Sequence, residues 1–297
     1  MTATADPAAR IATPPLPTKV ARRQRVRNRN GWAHAILILA SLTMIFPFYF
    51  TFVLASRTNE DFFASPPKLI PGTHFLDNVR QVFSSIDFFG SMLNTVIVAL
   101  SVTALVLFFD SLAAFAFAKY DFPAKRALFG LLLLFFMLPA QLSAVPQFIT
   151  MIHIGWAGSL KALIVPAAAN AFGIFWMRQY ISGAVPDELL DAATIDGCGF
   201  FRQYAYIALP IIRPGLGFLG IYTFVGAWND FVWPLIVLTN PGHLTLQVAL
   251  AQLNSVHSTD HNIVMAGSFL AIIPLLIAFL IFARQFVADA VAGAVRG

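Results

Sequence analysis

The stretch Pro186–Pro214, PDELLDAATIDGCGFFRQYAYIALPIIRP, decides how the chain is read, because it is a polar island between two long apolar segments. Pro186 suits the first turn of a helix, and Asp187 and Glu188 set negative charge at that helix's positive end. Gly197 is a natural stop, since glycine adopts the left-handed conformation that ends many helices. The spacing therefore predicts an amphipathic helix from Pro186 to Asp196, about three turns at 3.6 residues each. At that period Leu189, Ala192 and Ala193 share one face, while Glu188, Asp191 and Ile195 share another. Paired alanines admit a second backbone and the flanking carboxylates can meet basic or amide groups, so the helix is expected to dock into a partner. The plainer alternative is a solvated loop carrying one short helix.

The composition around this island is that of a membrane protein. Of 297 residues, 58% are hydrophobic and 11% charged, against about 45–50% and about 25% in soluble domains. The net charge of +5 is not a nucleic-acid footprint, because most of it collects at Arg10, Lys19, Arg22, Arg23, Arg25, Arg27 and Arg29. Residues 1–31 read as a disordered basic cytosolic tail held near anionic membrane lipid and acting as a topology signal. A secretory signal would have an apolar core of about 7–15 residues; the run from Trp32 to Ala55 is longer and is expected to stay as a span. The single cysteine, Cys198, excludes an internal disulfide framework and reads as a structural or incidental thiol.

At roughly 20 apolar residues per crossing, six spans are expected in a transmembrane domain of residues 32–297: about 32–55, 91–118, 127–151, 160–181, 215–238 and 263–286. Pro139 and Pro146 should kink or break the third. A short amphipathic helix is expected near Leu76 to Ser84, after turns at Pro66-Pro67 and Pro71-Gly72. With the N-terminus inside, fifteen of the 19 Lys and Arg residues fall on the inner side and only Arg57, Lys68, Arg80 and Lys161 on the outer. Both termini and the island, residues 183–213, are thus expected in the cytosol. The predicted fold class is all-α, a polytopic membrane protein.

No Walker A sequence is present, so if ATP drives the protein the ATPase is a separate subunit, docking at the island. Gly215, Gly217 and Gly220 spell G-x-G-x-x-G, but they open an apolar span rather than a βαβ unit, which points to tight helix packing. Trp228, Asn229, Asp230 and Trp233 lie together in span five. A carboxylate and an amide at membrane depth should face the bundle interior or a watery cavity. They read either as a gate or substrate path, with tryptophans for stacking on sugar rings, or as a structural hydrogen-bond knot with interfacial anchors. Asn94 and Asn170 join them as polar path candidates. Asp110, roughly 13 Å deep at 1.5 Å per residue, is expected to be partnered in the bundle or across to a second subunit, or protonated. His257, Asp260 and His261 could offer zinc ligands, yet without a fourth they read as a wet loop or a partner contact, and no metal site is expected. No grouping of reactive residues suggests an enzyme.

The island then supplies a resemblance. Asp191-Ala192-Ala193, three residues, Gly197, nine residues and Ile207-x-Leu209-Pro210 resemble the EAA loop of ATP-binding-cassette importer permeases, with Asp191 where the family usually has Glu. Trp228-Asn-Asp-Phe-Val-Trp233-Pro-Leu235 is similar to a signature of the carbohydrate branch. Asn94-Thr95, the pattern through Phe117 and Pro123, and the ending Gly293–Gly297 look like the smaller maltose-type permeases, with Asp289 where the family usually has Gly. The resemblance runs from about Trp32 to the end. It implies a type I importer permease fold, a second homologous permease, two ATPase subunits carrying ATP and Mg, and an extracytosolic sugar-binding protein, in a bacterial or archaeal cytoplasmic membrane. In this reading Glu188, Asp191 and Asp196 make polar contacts to the ATPase, Ala192 and Ala193 allow close approach, Gly197 makes the turn, and Ile207, Leu209 and Pro210 close the loop. The other classes weighed are a stand-alone ion-coupled transporter using Asp110 and Asp230, and a polytopic membrane enzyme.

Overall fold

The computed structural model describes residues 31–254 and 260–294, with side chains up to residue 280 apart from Ala140. The basic tail to Arg29, His257 and residues 295–297 lie outside the described residues. All regular structure among the described residues is helical. The chain falls into two compact units, 1–46 and 47–297. The described part of the first is the beginning of α1 (Gly31–Ala55), whose large apolar side chains from Trp32 to Phe46 are mostly exposed. Such a surface suits hydrocarbon rather than water.

The second unit continues α1 from Pro47 through α2 (Asn59–Phe62), α3 (Phe75–Ser85), α4 (Phe88–Lys119) and α5 (Lys125–Met137). A 3₁₀ turn at Ala140–Ser143 leads to α6 (Ala144–His153), α7 (Lys161–Ile164), α8 (Ala171–Ala184) and α9 (Asp187–Ile195). Then come α10 (Phe200–Gln203), a π-helical turn at Tyr204–Ala208, α11 (Leu209–Ile211), α12 (Arg213–Asn229), α13 (Val232–Val237), α14 (Leu246–Gln252) and α15 (His261–Ala294). The amphipathic α3 and the long α1, α4 and α15 stand where the sequence places them.

Among the described residues three helices are long and apolar enough to cross a membrane: α1, α4 and α15. A bent pair, α5 with the helix at Gln141–His153, is apolar enough to count as one further crossing if its halves, meeting at 90° after Pro139, form a single broken span rather than a re-entrant loop. A second bent pair sets Phe200–Ile211, the end of the polar island, at 82° to α12, which itself continues the apolar run. The segment expected as a fourth span, 160–181, is not one continuous helix: it is α7, an irregular stretch through Pro166, and α8. Pro166 removes a backbone donor, and the Asn170 side chain caps a fresh helix by accepting from the Gly173 N–H at 2.8 Å. The segment expected as the fifth span is likewise two helices, because α12 stops at Asn229 and Asp230 takes an extended conformation before α13.

The centre of the second unit is α4, which packs along α12 and α8, while α15 packs on α12 and α3. Within one core, Val102, Val106 and Phe115 of α4 are buried with Met177 and Ile181 of α8 and Leu219 of α12. Lipid tails are as apolar as these side chains, so close fit rather than water exclusion holds them together. A Cβ on Gly215 would meet the Tyr180 ring at 2.8 Å and one on Gly220 would touch Leu107 at 3.4 Å. These two glycines of the G-x-G-x-x-G run are therefore packing positions.

Candidate functional site

The island forms a docking helix on a rigid mount. Asp187 Oδ1 lies 2.7 Å from the ammonium of Lys119, whose side chain is 5% exposed at the end of α4. Leu190 and Ala193 of α9 are buried. That corrects the expected face: Ala193 holds the helix to its own chain, while Leu189 and Ala192 are exposed. The outward stripe is Glu188, Asp191, Ala192 and Ile195, at i, i+3, i+4 and i+7, with Ile195 87% exposed. It combines two carboxylates, one small residue and one unshielded apolar side chain.

Gly197 has φ +77°, as expected of the stop. Its N–H donates to Thr194 O at 3.0 Å and the Cys198 N–H to Ala193 O at 2.8 Å, the paired bonds of a Schellman end. Behind the turn Gln203, 4% exposed, donates from Nε2 to Thr194 Oγ1 at 2.9 Å and Cys198 O at 3.0 Å. The Tyr120 hydroxyl donates to Gln203 Oε1. Burial pushes the Tyr120 hydroxyl up from its ordinary pKa, which keeps it a donor. Tyr204 OH and Ser111 Oγ, 2.6 Å apart, tie the next turn to α4. Sequence reasoning missed Gln203, Tyr120 and Tyr204, which come together only through tertiary pairing and carry no periodic signal.

Ile207 and Leu209 are half-buried against the main core. Pro210 lies exposed in the first turn of α11, two residues before the bend at Ile212. Asp196 is exposed beside Gly197.

The polar candidates at membrane depth separate into two groups. Asn94 donates to Gly242 O at 3.1 Å and Leu244 O at 3.0 Å, pinning a loop. Trp228, 1% exposed, stacks on Phe224 in a second apolar core with Phe88 and Leu246, so its ring is closed to a ligand in this conformation. Asn229 donates back to Val225 O at 2.9 Å. Asp110, fully buried, accepts the Asn170 N–H on Oδ1 at 3.1 Å, while Oδ2 has no partner among the described residues and lies against Gly173. Its partner is thus within the bundle.

Asp230, Asn170 and Trp233 instead line half-open pockets between the helices. A cavity of about 280 Å³ is bounded by Gln141, Gln147, Asp230 and Trp233. A second, of about 340 Å³, is bounded by Asn170, Thr223, Asp230 and Thr245. They share Leu163, Pro166, Ala167 and Asp230, so the break between α12 and α13 sets a carboxylate on the wall between them. Thr223 and Thr245 bury hydroxyls with no partner among the described residues. Two orphan hydroxyls, an amide and a carboxylate around one space are suited to water or a hydroxylated ligand. The threonines were not expected from sequence, because Thr223 within α12 and Thr245 just before α14 carry no signal of their own.

Comparison with known proteins decides the family. The model of the binding-protein-dependent transport system inner membrane component matches residues 110–292. The chain belongs to this family. As a permease it is similar to the arabinooligosaccharides transport system permease protein AraQ of Halalkalibacterium halodurans, at 33% identity over 85% of this chain and 91% of that one. It is also similar to the sn-glycerol-3-phosphate transport system permease protein UgpE of Escherichia coli, at 31% identity over 86% of this chain and 94% of the other. Its fold matches a solved bacterial ABC transporter involved in the import of the acidic polysaccharide alginate, with a TM-score of 0.74, 20% identity, and coverage of 86% and 96%. The permease is therefore a membrane subunit of a binding-protein-dependent importer, with the all-α type I fold. The family is one of transport subunits, not enzymes.

Proposed function

We propose that the permease carries a carbohydrate across the cytoplasmic membrane as one of two homologous membrane subunits, receiving it from an extracytosolic binding protein and driven by two ATPase subunits that hold ATP and Mg. The observation that carries this reading is the outward stripe of α9 on its fixed mount. The helix has its own side chains anchored inward by Leu190, Ala193 and the Asp187–Lys119 pair, and leaves Glu188, Asp191, Ala192 and Ile195 uncovered. In this reading the stripe seats in a cleft of the ATPase. Closure of the ATPases moves α9, and the Gln203 network passes the movement to α4 and α12. Such coupling requires the stripe to bind the two ATPase states with different affinity.

The carbohydrate class rests on the cavities and on the relatives together. Relatives named for arabinooligosaccharides and for sn-glycerol-3-phosphate move polyhydroxylated cargo, and the Asp230 cavities offer hydroxyl-compatible walls. Positive-inside counting puts α9 and both termini in the cytosol. The test is Gly197→Asp. A side chain at φ +77° strains the turn, so the variant should reach the membrane in normal amount and fail to transport. Normal uptake would sink the coupling role of this turn.

A further inference from the structure

A cationic recess lies away from both the docking stripe and the Asp230 pockets. It is a cavity of about 380 Å³ between the start of α5 and the middle of α8, bounded by Lys125, Arg126, Arg178, Phe117, Phe129 and Asp121. Lys125 is engaged: its ammonium donates to Tyr120 O at 2.7 Å and meets the exposed Asp121 carboxylate at 3.1 Å. Arg126 and Arg178 have no carboxylate partner among the described residues. Arg178 is held in place without one. Its guanidinium lies 4.2 Å above the Phe129 ring, and Nε donates to Phe117 O at 3.4 Å. The terminal nitrogens, the two that form a fork toward a phosphate, are left for something else.

The recess therefore has a surplus of two positive charges at the polar edge of the bundle, on the same end as Lys119 and α9. Directly below it α5 is bare. Leu128, Leu131 and Phe135, at i, i+3 and i+7, are 48%, 47% and 61% exposed. A free anion would satisfy the arginines and leave this stripe unused. An anionic phospholipid uses both, with its phosphate between Arg126 and Arg178 and an acyl chain along the α5 leucines.

We propose that this recess is a site for an anionic phospholipid of the leaflet that faces α9. The ligand bridges α5 and α8 across the Phe129–Arg178 stack and so steadies the bent α5–α6 pair against α8. Juxtamembrane cations each strengthen attraction to an anionic surface by about five-fold in affinity. Binding should accordingly weaken with ionic strength only modestly, since the recess is partly shielded.

The experiment is native mass spectrometry of the full-length permease released from nanodiscs of phosphatidylcholine with phosphatidylglycerol. The wild type should retain phosphatidylglycerol in preference to phosphatidylcholine, and Arg178→Gln should lose that preference by roughly five-fold or more. Arg126→Gln is the second variant, because that side chain is exposed and supports no internal contact, so it cannot fail merely by unfolding. Adding inorganic phosphate to nanodiscs of phosphatidylcholine alone is the third arm. Retention of phosphate there, without phosphatidylglycerol preference, would replace the lipid by a free anion and overturn the proposal. Equal retention of both lipids, or unchanged preference in both variants, would overturn it as well.

Discussion

At the scale of single residues, Asp110 and Gly173 make a close fit between α4 and α8. The carboxylate takes the Asn170 N–H on one oxygen and presses the other against the Gly173 backbone, where a Cβ would overlap it. Gly173→Ala must therefore separate α4 from α8 or eject the carboxylate from its hydrogen bond. Overpacking of this kind costs about 1–3 kcal/mol. The melting temperature in detergent should fall accordingly, while Gly183→Ala in the same helix, where the added methyl meets open space, should leave it unchanged or raise it. Equal melting of the two variants would contradict this account. Asp110 was visible in the sequence as an expense at membrane depth, and its partner was not. The Asn170 amide is sixty positions away, and only the break at Pro166, which restarts a helix there, delivers it.

At the scale of elements, α9 shows where periodicity informs and where it stops. The helix, its proline start and its glycine stop follow from residue chemistry alone, and all three stand in the structure. Which alanine faces inward does not follow. Leu189 and Leu190 are both apolar, and two readings of the face differ by one 100° step of the helix. Tertiary packing chose Leu190 and Ala193. The two alanines consequently answer to different tests. Ala193→Leu should destabilise the permease itself by about 1–3 kcal/mol, measured by thermal unfolding. Ala192→Leu should leave that midpoint alone and abolish recovery of the ATPase in a mild-detergent pull-down. If Ala192→Leu retains its ATPase, the stripe is not the docking face. The span count follows the same lesson. Long continuous apolar runs gave α1, α4 and α15 directly, whereas 160–181 satisfied the length rule and still broke, because hydropathy weighs a proline's side chain but not the donor it removes.

At the scale of the whole molecule, the fold class and the family were legible, because the island's spacing and the span pattern are both local features. The cavities were not, since Asn170 at the start of α8, Thr223 in α12, Asp230 at its end, and Thr245 before α14 meet only when these elements close around α4. The wide turn at Tyr204–Ala208 has a separate consequence for how this chain tolerates changes in length. A π turn holds one more residue than an α turn while the helix on either side keeps its facing. Removing Ala205 should convert it to ordinary helix and leave both Tyr204–Ser111 and the Ile207 packing in register. Removing Ala227 from α12 should instead rotate everything beyond it by about 100°. The first deletion is expected to yield a folded, membrane-inserted protein with a near-normal unfolding midpoint, and the second an aggregated one; comparable outcomes for both would refute it. Between the docking helix and the core, the chain thus has one position at which a lineage can gain or lose a residue without re-addressing any face.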